Sequence, residues 1–248
     1  MNRIELLEVE GLPEVHAGDD LGELISSRAK LEPSDILVVA QKVVSKAEGK
    51  IRHLSTVVAG DEAARIAKQL IAAPDPRLVQ VILDESVRVL RSYRVLITET
   101  RHGFVCANSG VDQSNVSEPD VVTLLPDDPD ASARAIRERI RERSGVEVGV
   151  IVSDTFGRPW RLGIVNVALG VAGLPALIDL RGTPDDAGRE MHATVLAIAD
   201  DLASAAGLVM RKTARTPVVV IRGLELTGDG HGRDLVRPAA EDVFRRRW

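Results

Sequence analysis

Three short apolar runs constrain this chain more than any other feature. Ile36 to Ala40, Val148 to Val152 and Val218 to Ile221 are almost wholly aliphatic. Each is short enough to be a buried strand and far too short to cross a bilayer. Residues 4–10 alternate enough to be a further strand, and Gly11-Leu12-Pro13-Glu14 then turns the chain. Asp20 can cap a helix to about Lys30, with Leu21, Leu24 and Ile25 on one face. Residues 60–72 repeat Ala64, Ala67, Leu70 and Ile71 at helical spacing. Asp130 or Ser132 can cap another helix, ending near Arg143, that buries only Ala133, Ile136 and Ile140. Its remaining Arg and Glu residues read as a solvated face. Residues 189–206 place Val195, Ala199, Leu202 and Ala206 on one helical side. Residues 94–98 and 103–107 read as paired strands around a turn at Arg101-His102-Gly103, and 164–171 is one more apolar stretch.

Strands and helices mix here without strict βαβ alternation. The expected class is α/β or α+β with mixed sheets, not a Rossmann fold. No GxGxxG follows a strand and no GxxxxGK[ST] occurs, which excludes the P-loop as well. There is no repeat and no linker. The 248 residues are expected to form one domain over 1–248, or two intimately joined subdomains.

Aromatic residues make up only 2% of the chain, so the core must be aliphatic. Few rings are left on which nucleic-acid bases can stack. The formal net charge of −5 supplies no positive field for nucleic acid or an anionic membrane. Anionic small-molecule substrates must then be held by local cations, either bound metals or single basic side chains. Arginine greatly outnumbers lysine, so the lysines can be read one by one: Lys30, Lys42, Lys46, Lys50, Lys68 and Lys212. Cys106 is the only cysteine, which excludes an intrachain disulfide and a cysteine-built zinc cluster. The charged start lacks a signal-peptide core and no apolar run reaches membrane-spanning length, so the expected location is the cytoplasm.

Four segments place polar groups where a plain core has no use for them. Gln41 to Gly49 leaves the run 36–40 carrying Lys42, Ser45 and Lys46, which suits a phosphate or carboxylate; taken alone, the segment reads more simply as a solvated strand exit. Residues 107–116 are dense in small oxygen donors. Asp112 offers a carboxylate to a hard cation, and Asn115 can bond a nucleotide; a turn built by Asn108 and Asp112 is the alternative. Ser153-Asp154-Thr155 ends the run 148–152, a common position for a metal ligand, and Arg158 and Arg161 bracket Trp160 as a clamp for anionic groups. The plainer account has Asp154 capping a turn and Trp160 filling the core. Residues 181–189 present Arg181 and Arg189, or merely cap a helix at Asp185 or Asp186. His102 lies in a turn and is a catalytic candidate beside Arg158 and Arg161. Cys106 reads as a small core residue.

In this order the segments resemble the coenzyme F-420-0:gamma-glutamyl ligase family. The resemblance is carried by residues 11–14, 41–49, 103–116, 150–163 and 217–223, essentially the whole chain. Some members carry an additional nitroreductase-like domain, for which these 248 residues leave no room. The resemblance implies a family-specific fold, a homodimer and a GTP-dependent ligase. It implies amide bonds from L-glutamate to the deazaflavin coenzyme F-420-0, and then to further γ-linked glutamate, through an acyl phosphate. It implies two divalent ions, Mg²⁺ or Mn²⁺, with K⁺ as a further cation. Asp112 and Asp154 are implied to hold one ion and Thr155 to help hold the second. Guanine nucleotide contacts are implied at Leu12, Pro13, Glu14 and Val15, at Gln41 and Lys46, at Asn115, and along 208–215, including Met210, Lys212 and Thr213. Some members place a metal-binding glutamine where Lys212 stands. A protonated lysine cannot ligate a metal, which leaves Lys212 to phosphate. The residues alone keep two other functions open: a non-catalytic, metal-dependent nucleotide binder, and a phosphohydrolase using Asp112 and Asp154. The pair Arg158 and Arg161 speaks for the ligase, because a nucleotide sensor has no need of a second anion clamp.

Overall fold

The structure is a computed structural model and describes residues 3–113, 120–211 and 215–242. Its elements in chain order are β1 (Glu5–Glu8), α1 (Leu21–Ser26), β2 (Ile36–Ala40), α2 (Gln41–Ala47), β3 (Ile51–His53), α3 (Asp61–Gln69), α4 (Pro76–Asp84) and β4 (Ser86–Ser92). They continue with β5 (Leu96–Thr100), β6 (Val105–Ala107), β7 (Val121–Thr123), α5 (Pro129–Ser144), β8 (Gly149–Arg158) and β9 (Arg161–Ala172). The last are β10 (Ile178–Asp179), β11 (Val195–Leu196), α6 (Ile198–Met210) and β12 (Val218–Arg222).

The three apolar runs are the middle of one sheet, ordered β1-β12-β2-β8-β9. Strands β2 and β8 run parallel and every other pair in this sheet is antiparallel, so the sheet is mixed as expected. Successive side chains on a strand face opposite ways. Leu37, Val39, Val150, Val152, Val218 and Val220 pack with Ile25 of α1 and Ala133, Ile136 and Ile140 of α5. Their neighbours Ile36, Val38, Ile151, Val219 and Ile221 pack with Ala199, Leu202, Ala203 and Ala206 of α6. Helices therefore cover both faces, which is why these strands read as unbroken apolar runs. None of the described helices is long and apolar enough to cross a membrane.

The chain between α2 and α5 builds a second core of its own. Leu54, Ile66, Val79, Ile82, Leu96 and Val122 gather there beneath α3, α4 and the ladder β4-β5-β6. Strands β3 and β7 pair antiparallel and bring this lobe back to the main sheet.

Several sequence expectations need correction. The segment after β2 is a helix, not an extended exit: Gln41 to Ala47 are mostly good helix formers, and Val44 and Ser45 turn inward. Strand β8 does not stop at Val152 but runs to Arg158, because β9 pairs with it from Val150 to Arg158. Helix α6 begins at Ile198 rather than Arg189, since Val195 and Leu196 pair with Asp179 and Ile178. Helix α4, with Asp75 as its N-cap and Pro76 in its first turn, and strand β4 are additions to the expected set.

Candidate functional site

Strand β2 ends at Ala40, opposite Ser153 of β8, and α2 turns away from the sheet. Beyond Ser153 the parallel neighbour of β8 is gone. A cleft of about 1070 Å³ opens there, between the main sheet and the second lobe. It lies at the C-terminal ends of two parallel strands, the usual place for a ligand in an open α/β sheet.

Within the described part of the chain the implied nucleotide and metal residues line this cleft, Val209 excepted. Leu12, Pro13, Glu14 and Val15 come from the loop after β1, and Gln41 and Lys46 from α2. Asp112 comes from the second lobe, Asp154 and Thr155 from β8, and Met210 from the end of α6. Asn115, Lys212 and Thr213 lie outside the described residues. Arg158, Arg161 and His102 are not in the lining. Strand β8 carries Arg158 out to the tip of the β8–β9 hairpin, where its guanidinium donates to the Leu162 carbonyl at 2.5 Å. Trp160 at that tip is 82% exposed and fills no core. Arg211 and Arg215 stand in the cleft wall. His102 stacks on Phe104 and faces the carbonyls of Pro126 and Asp127 at 2.9 and 3.0 Å. A carbonyl only accepts, so Nε2 is the protonated nitrogen.

Asp112 is delivered by a strained turn. Asn108, Ser109 and Gly110 have φ of 55°, 53° and 71°. A left-handed backbone costs a non-glycine residue about 1–2 kcal/mol, so other contacts must enforce it. Ser109 supplies them. Its amide donates to Thr98 Oγ1 at 2.9 Å, and its buried hydroxyl lies 2.7 Å from Ser86 Oγ and 2.8 Å from Thr98 Oγ1. At Gly110 a Cβ would stand 2.6 Å from the Leu125 side chain, so only glycine fits. Asp112 then exchanges backbone hydrogen bonds with Thr123 at 3.1 and 2.9 Å. Its carboxylate accepts from Lys42 Nζ at 2.8 Å.

Asp154 is held by backbone pairing opposite Val167 on β9, just after a register shift between Val152 and Ser153. It lies close enough to Cys106 for its charge to matter: burial first, and then the Asp154 carboxylate, push the Cys106 thiol up to about 12. Cys106 lines the cleft as an un-ionised, weakly nucleophilic group. Across the cleft Lys46 donates to Glu14, and that hydrogen bond is the largest cause holding the Glu14 carboxyl below its ordinary value. Gln41 is buried, and its amide nitrogen donates to Ser45 Oγ at 2.5 Å and to the Leu124 carbonyl at 2.9 Å. That side chain pins α2 to the second lobe and fixes the two walls of the cleft to each other.

The lining contains groups the sequence did not single out. Asn166 is one, and its signal was a lone amide within the apolar stretch 164–171. The hydroxyl of Ser153, in a segment the sequence did mark, is buried and has no hydrogen-bond partner among the described residues.

The decisive comparison is with known proteins. Residues 11–223 match the model of the family described as F420-0:Gamma-glutamyl ligase. The chain belongs to that family. A protein of Methanopyrus kandleri named coenzyme F420:L-glutamate ligase is 45% identical, over 99% of this chain and 100% of its own length. Proteins of the same name from Methanocaldococcus jannaschii and Methanothermobacter thermautotrophicus are 45% and 46% identical, over 98% of this chain in both cases and 97% and 99% of their own lengths. Membership in the F420-0:gamma-glutamyl ligase family makes the chain an enzyme that forms carbon–nitrogen bonds, and it removes the non-catalytic nucleotide binder from consideration.

Proposed function

We propose that this cleft joins L-glutamate to the deazaflavin coenzyme F-420-0 at the expense of GTP. The reading rests on one observation above the others: stretches spread from Leu12 to Met210, implied by family resemblance to touch nucleotide and metal, all line one cleft. A carboxylate is a poor acylating agent. Transfer of the γ-phosphoryl group of GTP to a carboxylate oxygen of the deazaflavin gives an acyl phosphate and GDP. The free amine of glutamate attacks the acyl carbon, the C–O bond to phosphate breaks, and the nitrogen sheds a proton. The products are the amide, GDP and phosphate.

The donors in the cleft suit a divalent cation. Asp112, Asp154 and the Thr155 hydroxyl are hard oxygen groups. Among the described residues no cluster of three or more His, Cys, Asp or Glu side chains is placed to hold an ion. That pattern fits Mg²⁺ or Mn²⁺, which keep water and substrate phosphate in their shell and take one or two protein carboxylates. Asp112 and Asp154 hold one ion and Thr155 serves a second, and K⁺ is a further cation of the system. When bound, the ions neutralise charge on the transferring phosphoryl group. The protein's own share is placement. Lys42 orients the Asp112 carboxylate, Lys46 and the arginines at 211 and 215 face the phosphates, and the loop 12–15 closes over the nucleotide.

The β8–β9 hairpin leaves Trp160, Leu162 and Ile164 at 82%, 96% and 53% exposure. Such an apolar tip suits burial against a second copy, in line with a homodimer, which light scattering would register as twice the chain mass.

Isotope transfer tests the chemistry. With ¹⁸O in the reacting carboxylate, one ¹⁸O is expected in the released phosphate, with GDP formed only when glutamate and deazaflavin are both present. Unlabelled phosphate would rule out the acyl phosphate. Equal turnover with ATP would rule out the preference for GTP.

A further inference from the structure

Asn166 stands opposite Thr155 in the β8–β9 ladder, and both line the cleft. Its amide has two neighbours. The nitrogen faces Met210 Sδ at 3.4 Å, and the oxygen faces Thr155 Oγ1 at 3.2 Å. Chemistry fixes which end is which. A thioether sulfur has no proton to give, so the NH₂ must point at Met210 and the carbonyl oxygen at Thr155. An amide oxygen only accepts, so the Thr155 hydroxyl must donate. Its single proton is thereby used on the strand, and its lone pairs are left for the cleft.

The residue is gripped as well as aimed. Ser204 Oγ donates to the Asn166 backbone carbonyl at 2.9 Å. Gly207 lies over the amide so closely that a Cβ there would come within 3.3 Å of it. Helix α6 thus holds Asn166 at three successive turns, through Ser204, Gly207 and Met210. Two residues before Thr155, on the same side of β8, Ser153 offers the contrast: its hydroxyl is buried and has no hydrogen-bond partner among the described residues, so none of them fixes its proton.

We propose that Asn166 is a positioning residue: by accepting the Thr155 proton it turns the lone pairs of that hydroxyl towards a divalent cation in the cleft. The proposal rests on the reading that Thr155 serves the second cation. It gives the amide the role that outer partners of metal ligands usually play, whose loss lowers metal affinity by about 10–100-fold.

The test is a Mn²⁺ titration followed by electron paramagnetic resonance, on the full chain saturated with a non-hydrolysable GTP analogue. The variants are Asn166→Ala, Thr155→Val and the pair together, with Asn166→Thr in place of alanine should that variant not fold. Thr155→Val and Asn166→Ala are each expected to weaken the second Mn²⁺ by about 10-fold or more, leaving thermal stability and nucleotide affinity near those of the parent. The double variant is expected to be no weaker than Thr155→Val alone, because Asn166 acts only through that hydroxyl. A purely structural role would lower stability and leave the Mn²⁺ affinity unmoved, which overturns the proposal. Additive losses overturn it too. If Thr155→Val itself leaves Mn²⁺ binding unchanged, the assignment of Thr155 to the second cation falls, and this inference with it.

Discussion

The two carboxylates of the cleft are held by opposite means. Asp154 sits on a long strand, one residue past a register shift between Val152 and Ser153, and backbone pairs with β9 hold it from Ser153 to Gly157. Asp112 follows three consecutive left-handed residues pinned by the buried hydroxyl of Ser109. Backbone pairing tolerates many side chains, so the Asp154 wall is robust and its geometry is spread over many bonds. The Asp112 wall concentrates its geometry in a few side chains of the second lobe. Strain of this kind persists only where the surroundings over-determine it, and it is common at ligand sites.

That asymmetry can be broken experimentally, beginning with the two carboxylates themselves. Asp112→Ala and Asp154→Ala are each expected to lower the rate of ligation by about 10³-fold or more, since bound metals contribute several kcal/mol to stabilising phosphoryl transfer. Circular dichroism should remain that of the parent. Near-normal turnover in either variant would remove that residue from the ion.

The supports should differ more than the two carboxylates do. Ser109→Ala leaves Thr98, Ser86 and the Ile82 carbonyl without their shared partner. A loss of about 2 kcal/mol in unfolding free energy is expected, with weaker metal binding as Asp112 drifts. Lys46→Ala is expected to raise the KM for GTP by ~10-fold, the size of a lost charge-assisted contact. Lys42 lies one helical turn away on the same face of α2, so the double variant should lose more. Ser153→Ala is the smallest change and has the opposite sign. Removing a hydroxyl that is buried without a partner should leave the ligand-free protein unchanged or more stable by about 1 kcal/mol. Equal destabilisation by Ser109→Ala and Ser153→Ala in chemical unfolding would erase the distinction between the two walls.

A pH series sharpens the Lys46 arm. The Glu14 carboxyl is held below its ordinary value of 4.5, chiefly by the Lys46 hydrogen bond. A carboxylate lowered in this way adds stability above pH 4.5 and loses it as pH falls through the folded-state value. The stability gap between the parent and Lys46→Ala should therefore be full at neutral pH and close in acid. A gap that widened in acid would contradict the pairing.

The same contrast explains what could be read from the sequence. The strands β2, β8 and β12 were legible because burial on both faces writes itself as an unbroken aliphatic run. Asp154 was legible as the first charge after such a run. Asp112 drew equal support as a ligand and as a turn former, because its place depends on Thr98 and Ser86, distant residues that no local pattern announces. Helix α2 was misread because its Val-Val pair continues the apolar look of β2. Lys42 and Lys46 still share a face, since a spacing of four keeps side chains together on a helix as on a strand. The place of Arg158 and Arg161 was not legible for a different reason. Nothing in the run 148–152 says how far β9 will pair, and that pairing decides whether the arginines meet the cleft or ride out on a hairpin tip.

On the proposed reading the two lobes share one ion, each giving one carboxylate. Counting Mn²⁺ per chain by electron paramagnetic resonance, with the GTP analogue bound, tests it most directly. The account predicts two ions in the parent, one in Asp112→Ala, one in Asp154→Ala, and still one in the double variant. A double variant with no bound ion would mean that the two carboxylates serve different metals, and two ions in either single variant would mean that the residue replaced serves none.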